Sequence, residues 1–135
     1  MALQLSVAVR NAMLDAIETA IGTAAVMKIR TGAPPATVAT ADSGTVLATL
    51  SLPSDWLAAA SSGSKAKSGT WEDSSADAAG TAAHFRIYAS DGTTAHLQGT
   101  VTATGGGGDL TVDNTSFASG QSFSVTSFTI SAANS

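Results

Sequence analysis

Two histidines, His84 and His96, are the side chains of this sequence best suited to acid–base chemistry. Imidazole is the usual base that accepts a proton from a serine nucleophile. No serine of the chain lies in the G-x-S-x-G turn that presents such a nucleophile in many hydrolases. Both histidines fall on the polar face of a predicted hairpin, where we expect solvated or interface residues. We therefore predict that the chain is not an enzyme and has no catalytic residue.

Three carboxylates, Glu72, Asp73 and Asp77, fall within one short segment and could together attract a hard cation such as calcium. Their spacing does not match the EF-hand loop pattern. The chain has no cysteine, which excludes a thiolate zinc site and a disulfide framework. His84 and His96 would hold a metal together only as cross-strand neighbours. We predict a solvated acidic turn, with no metal and no cofactor.

The sequence contains little evidence of a site that binds phosphate groups. Residues 105–108 are four consecutive glycines, but the lysine and helix of a phosphate-binding loop do not follow them. Nucleic-acid binding needs clustered basic side chains that release counterions from phosphate. The basic residues here are scattered, at Arg10, Lys28, Arg30, Lys65, Lys67 and Arg86. We predict a glycine spacer and no nucleic-acid partner.

Trp56, Trp71 and Tyr88 are candidates for a stacking platform that binds sugars. In a chain with 5% aromatic residues, tryptophan is also needed for the core. A glycan-binding module is therefore kept as a second hypothesis for the function.

The chain carries few charges, 12% of its 135 residues, with a formal net charge of −4. A polar surface with few charges suits a protein that neighbours will cover, because hydroxyl groups cost less to bury than charges do. The alternative is a neutral surface that faces solvent. No stretch has the ~20 apolar residues that span a bilayer, and no basic segment precedes the apolar start as in a signal peptide. We expect no membrane association and no export by a signal peptide.

An amphipathic helix is predicted over residues 5–21, followed by Gly22 at the position of a C-terminal cap. Polar side chains take one side of this helix. The opposite stripe is apolar and consists of Val9, Met13, Ala16, Ile17, Ala20 and Ile21. The stripe must be buried, either in the same domain or on a partner.

After Gly22 the hydrophobic period changes from 3.6 to 2, which is typical of strands. Strands are predicted over residues 25–30, 44–52, 70–72, 110–112 and 121–131, with a hairpin over 82–103 that turns at Asp91 and Gly92. Residues 58–69, which include Lys65 and Lys67, have low complexity and are expected to form an exposed loop.

The hairpin register follows from the polarity of its two faces. A three-residue turn pairs Ile87 with Leu97 and Phe85 with Gly99, and it pairs Ala83 with Val101. The other face then holds the pairs His84–Thr100, Arg86–Gln98 and Tyr88–His96. A two-residue turn would mix apolar and polar side chains on both faces, so we predict the three-residue turn.

The last predicted strand changes parity along its length. Phe123 and Val125 share one face, whereas Phe128 and Ile130 fall on the other. A β-bulge near residues 126–127 would bring all four to the same side. The alternative is a strand that is buried on both faces.

One helix with six or seven strands and glycine-rich turns favours a mainly β fold, an antiparallel β-sandwich or jelly-roll-like domain with one N-terminal amphipathic α-helix. The length suits a single domain over residues 1–135, with the helix in 1–22 and the sandwich in 23–135.

Several segments resemble small virion proteins of tailed bacteriophages. They are residues 11–18 (NAMLDAIE), residues 52–71 (LPSDW through KAKSGTW), the end of the hairpin at 99–101 (GTV) and residues 105–129. The resemblance covers most of the chain and lies in pattern and composition, without a catalytic signature. It implies a structural component of the virion, made in the cytoplasm of the host bacterium.

The resemblance implies other virion proteins as partners, in the capsid or in the tail, and we also expect a homo-oligomer. The leading hypothesis is a capsid-decorating or accessory protein, and a tail or tail-tip component is the alternative. The helix stripe and the segment 58–69 are the predicted contact regions. The candidate interface residues are Val9, Met13, Ile17, Ile21, Trp56, Lys65, Lys67 and Tyr88.

Overall fold

One helix and eleven short strands make up residues 3–132, the part of the chain that the computed structural model describes. They are α1 (Val7–Ile21), β1 (Val26–Arg30), β2 (Val46–Ser51), β3 (Ser64–Ala66), β4 (Trp71–Asp73), β5 (Gly80–Thr81), β6 (His84–Tyr88), β7 (Ala95–Ala103), β8 (Leu110–Val112), β9 (Ser116–Phe117), β10 (Phe123–Val125) and β11 (Thr129–Ser131). The prediction of a mainly β fold with one N-terminal helix is confirmed.

Helix α1 begins and ends at residues that satisfy its free backbone groups. The Ser6 hydroxyl accepts a hydrogen bond from the Val9 amide at 3.2 Å, which is the usual N-terminal cap. At the other end Gly22 has a φ of 94° and donates its amide to the Glu18 carbonyl at 2.8 Å. The observed helix starts two residues later than predicted, because Ser6 serves as the cap.

Five strands form the main sheet in the order β2-β1-β6-β7-β8. The pairs β2–β1, β1–β6 and β6–β7 are antiparallel, whereas β8 runs parallel to β7. The parallel pair departs from the predicted antiparallel arrangement because residues 104–109 carry the chain back to the level of Val101, where Leu110 begins β8 in the direction of β7. In that turn the Thr102 hydroxyl accepts the Gly108 amide at 3.0 Å, and a Cβ on Gly106 would come within 2.7 Å of Thr102. Gly106 and Gly108 are thus packed against Thr102, whereas Gly105 and Gly107 have open space around them.

The register of the β6–β7 hairpin agrees with the prediction over four pairs, from His84–Thr100 to Ile87–Leu97. The predicted pair Tyr88–His96 is wrong, because the register shifts after Ile87 and Tyr88 lies opposite Ala95. The turn explains the shift. The Asp91 carboxylate accepts hydrogen bonds from the amides of Thr93 and Thr94, and the Ala89 amide donates to the Thr94 carbonyl, which closes a four-residue loop.

The last predicted strand is divided into β10 and β11, which pair with β4 and β3 respectively. The break at residues 126–128 changes the parity as expected. Phe123, Val125 and Phe128 are buried and Ile130 is half-buried, whereas the side chains between them are exposed. The alternative of a strand buried on both faces is therefore wrong.

The core joins one face of the main sheet to the smaller ribbons. Apolar side chains of β1, β2, β6 and β7 share one buried cluster with residues of β4 and β10. Its aromatic centre is a chain of contacts, with ring centroids 6.0 Å apart for Trp56–Trp71, 5.5 Å for Trp71–Phe128 and 5.6 Å for Phe85–Phe128. This grouping is compatible with the predicted sandwich or jelly roll.

Candidate interaction surface

Helix α1 turns an apolar face away from the rest of the described chain. Val9 and Met13, which lie on this face, are exposed by 46% and 51%. The alanines that share this side are exposed as well, at positions 8, 12, 16 and 20. Solvent-facing helix surfaces are normally polar, so this exposed face is unusual and is the main candidate for an interaction surface.

The polar side of α1 faces inward and contacts the backbone of the β domain. Asn11 accepts the Gly63 amide at 2.9 Å, Asp15 accepts the Ala60 amide at 2.9 Å, and Glu18 accepts the Leu57 amide at 3.2 Å. Arg10 donates to the carbonyl of residue 132 at 3.2 Å. These hydrogen bonds fix the orientation of the helix, and they hold its apolar face outward.

The predicted helix stripe is therefore divided between two environments. Ile21 is buried in the core, which corrects its assignment as an interface residue. Ile17 is only partly buried where it packs against the core. Val9 and Met13 are the predicted stripe residues with large side chains that remain exposed.

Lys65 is buried, in contrast to the exposed loop predicted for residues 58–69. The segment contains strand β3, which pairs with β11 and packs beneath α1. The Lys65 ammonium lies 2.8 Å from Asp15 Oδ1 and 3.2 Å from Glu18 Oε2, and it donates to the Ala58 carbonyl at 2.9 Å. Lys65 is thus an internal cation that fastens the helix, and its assignment as an interface residue is wrong.

The ion pairs beneath α1 change the pKa values of both partners. Burial lowers the pKa of Lys65, but hydrogen bonds and the charges of Asp15 and Glu18 outweigh it and raise that pKa above its ordinary value. The hydrogen bonds from Lys65 and from the Ala60 amide lower the pKa of Asp15. Both groups are therefore charged at neutral pH.

The aromatic candidates for a sugar platform are buried. Trp56 and Tyr88 have no exposed area and Trp71 is 1% exposed. The Trp56 indole donates to the Gly22 carbonyl at 2.9 Å, which joins the end of α1 to the core. The assignment of Trp56 and Tyr88 to an interface is wrong, and these three rings form no exposed platform. Lys67 is half-buried, with its ammonium 2.7 Å from the Gly69 carbonyl and 5.8 Å from the centre of the Trp71 ring.

Residues 31–45, which we call the strap, cover the polar face of the β6–β7 hairpin. His84 and Arg86 lie beneath it with at most 1% exposure, where solvated residues had been predicted. His84 Nδ1 is 2.7 Å from the Gly32 carbonyl, and Arg86 donates to the carbonyls of residues 37, 38 and 40. The Gln98 amide group donates to the Pro35 carbonyl at 2.7 Å. Peptide carbonyls of the strap therefore take the place of water on this face.

Asp42 is the charged residue that holds the strap. Its carboxylate accepts hydrogen bonds from Arg30 at 2.9 Å, from the Tyr88 hydroxyl at 2.8 Å, and from Arg86. Burial raises the pKa of Asp42, but the hydrogen bonds from Arg86 and Tyr88 and the two guanidinium charges lower it more. Asp42 is the single acidic residue between Glu18 and Asp55, but its spacing alone does not reveal the distant partners that it binds.

The acidic segment that follows Trp71 supports the edge of the main sheet. Asp73 accepts the amides of Thr49 at 2.9 Å and of Ser75 at 3.0 Å, and Asp77 accepts the Thr49 hydroxyl at 2.7 Å. Within residues 3–132 no three histidine, aspartate or glutamate side chains lie close enough to hold a metal ion. These carboxylates instead occupy the free edge of β2, which protects it from pairing with another strand.

In the described part of the chain, no helix is long and apolar enough to cross a membrane. Comparison of the chain with protein-family models, with curated proteins and with solved structures gave no match.

Proposed function

We propose that this chain is a non-enzymatic structural component of a tailed-bacteriophage virion, a capsid-decorating or accessory protein that contacts neighbouring subunits through α1. The observation that carries the proposal is the orientation of the helix, with polar side chains inward and the apolar face outward. Exposed apolar patches are typical of surfaces that bind other macromolecules. The resemblance of the sequence to small virion proteins supports the virion as the setting.

The rigid attachment of α1 also supports a contact role. Three carboxylate or amide side chains of the helix accept backbone amides of the domain, and buried Lys65 joins two of those carboxylates. A surface that is fixed before binding loses little conformational entropy when a neighbour docks. The helix is therefore a pre-organised surface.

The low charge of the chain favours an assembly with many neighbours. Only 12% of its residues are charged, and several of those charges are already paired within the domain. Each subunit contact then requires little desolvation of charge. Many modest contacts repeated by symmetry can stabilise a particle without any single strong interface.

The test measures the chain in purified particles. Particles from a phage lysate that contains this chain are separated on a density gradient, and the chain is quantified in each fraction by mass spectrometry. We expect it to co-sediment with the particles at a constant number of copies. Separate analysis of heads and tails distinguishes capsid decoration from the tail alternative.

Matched variants test whether the helix face makes the contact. Met13→Glu places a charge on the exposed face, and Ser119→Glu adds the same charge at an exposed turn elsewhere. We expect Met13→Glu to lose at least tenfold in particle-bound protein and Ser119→Glu to remain bound. Recovery of the wild-type chain only among the free proteins of the lysate would contradict the proposed function.

A further inference from the structure

We propose that the exposed face of α1 pairs with α1 of a second copy of this chain about a twofold axis. This inference rests on the proposed function, because it names the neighbour that covers the same face. It is argued from the side chains on that face, from their charge and from the area they offer.

Two parallel rows of side chains run along the exposed face of α1, and they differ in size. One row consists of alanines four residues apart, at positions 8, 12, 16 and 20. The adjacent row begins with Val9 and Met13, which are large and about half exposed. Rows four residues apart are the ridges by which helices pack into each other's grooves. The alanine row therefore forms a trough next to a ridge.

A helix with a ridge and a trough side by side is complementary to itself. A twofold axis through the middle of the face inserts the Val9–Met13 ridge of each copy into the alanine trough of the other. A twofold interface requires this kind of self-complementary patch, in which each surface provides both parts. Packing between rows four residues apart sets the helices at about −50°, so the closest approach falls near Ala12 and Met13.

The charge distribution favours a second copy over an oppositely charged partner. The chain has a net charge of −4, so two copies repel each other over most approaches. The alanine row and the Val9–Met13 row carry no charge. The carboxylates of the same helix, Asp15 and Glu18, are paired with Lys65. Asp15, whose side chain is 50% exposed, borders the alanine row, but its charge is paired with Lys65. This face is thus where two acidic copies can meet with the least repulsion.

The available area determines the strength of the pair. Fifteen residues give a helix ~22 Å long and ~10 Å wide, a strip of roughly 220 Å². Stable interfaces bury about 800 Å² per partner. The pair is therefore weak in dilute solution and forms when copies are concentrated, as they are when arranged on a particle.

Analytical ultracentrifugation up to about 1 mM protein, where weak complexes are populated, measures the pairing. Three variants are compared with the wild-type chain. Ala12→Leu fills the trough yet adds apolar area, Met13→Glu places a charge on the ridge, and Ser119→Glu is the control at a distant exposed turn. Circular dichroism confirms that each variant remains folded.

We expect the wild-type chain and Ser119→Glu to dimerise equally. Ala12→Leu should weaken the dimer at least tenfold despite its greater hydrophobicity, and Met13→Glu should abolish it. Because the chain has no cysteine, Met13→Cys gives an independent measurement. Under a mild oxidant it should form a disulfide-linked dimer at high concentration, whereas Ser119→Cys should not.

The outcomes separate this inference from the proposed function. If Ala12→Leu dimerises as well as wild type while Met13→Glu does not, the face binds without ridge-and-trough packing and the inference is wrong. If the wild-type chain stays monomeric at 1 mM while Met13→Glu is lost from particles, a different virion protein covers the face. The inference then fails and the proposed function stands. If Met13→Glu remains on particles, the proposed contact is wrong.

Discussion

Replacement of Asp42 by alanine should release the strap from the sheet. The Asp42 carboxylate accepts hydrogen bonds from Arg30, Arg86 and Tyr88, each of them buried. Loss of one partner from a buried ion pair costs about 3–5 kcal/mol, because the other charge stays buried without compensation. The Asp42 side chain is 36% exposed and Arg86 keeps three carbonyl acceptors, so we expect a smaller loss of about 2–3 kcal/mol.

Urea unfolding at pH 7 gives the free energy of unfolding of each variant. Asp55→Ala is the matched control, because Asp55 is an exposed acidic residue far from the strap and its loss should change stability by at most about 0.5 kcal/mol. Amide hydrogen exchange in residues 31–45 should become faster in Asp42→Ala than in wild type. A loss no larger than that of Asp55→Ala would refute the role assigned to Asp42.

The pH dependence of the free energy of unfolding tests the same network. Because Asp42 is acidic, its stabilising contribution is lost as the pH falls. The pKa of Asp42 is lowered in the folded chain, so its contribution is fully present above the ordinary carboxylate pKa of 3.8. That contribution is lost as the pH falls through the lowered pKa and Asp42 becomes protonated. The stability difference between wild type and Asp42→Asn should therefore be constant near neutral pH and shrink below about pH 4. A difference that persists unchanged at pH 2 would contradict this explanation.

Three further changes test other parts of the molecule. Lys65→Met should cost about 2 kcal/mol by urea unfolding, because two carboxylates of α1 lose their buried cation, while Lys67→Met should cost less than half of that. The pKa of Lys65 is raised, so its contribution should be full below pH 10.5 and disappear as the pH rises through the raised value. Gly99→Ala should destabilise by about 1–3 kcal/mol, since its Cβ would lie 2.8 Å from Phe85, and an unchanged melting temperature would contradict that clash. Asp91→Ala should speed hydrogen exchange in the hairpin turn, because three hydrogen bonds from Thr93 and Thr94 converge on the Asp91 carboxylate; unchanged exchange would exclude this role.

The parts of the fold that the sequence predicted correctly depend on local periodicity. The hairpin register could be worked out because one-residue slips move apolar side chains such as Ile87 and Leu97 to the wrong face. The parity change before Phe128 could be found in the same way. The predicted pair Tyr88–His96 is wrong because the loop stabilised by Asp91 has four residues instead of three. The alternation of apolar and polar residues carries no information about hydrogen bonds in a loop.

The candidate site was predicted only in part, because burial of polar residues depends on contacts between distant segments. Lys65 lies in a stretch of small residues that has the composition of a loop, yet its ion pair with Asp15 joins residues 50 positions apart. Arg86 looks solvated on a polar strand until the strap, 44–49 positions away, supplies its acceptors. Such pairings have no period in the sequence.

The sequence by itself determined the mainly β class, the C-terminal end of the helix and most of the hairpin register, since each follows from side-chain alternation and from local caps and turns. It also indicated that the apolar stripe of α1 must be buried, in the same domain or on a partner. Only the tertiary structure decided which part of that stripe the domain itself covers. Hydrogen bonds from distant backbone amides to Asn11, Asp15 and Glu18 fix the rotation of the helix. That rotation buries Ile21 and leaves Val9 and Met13 exposed. Hydrophobicity sets the need for burial, whereas long-range polar contacts set the direction in which each side chain faces.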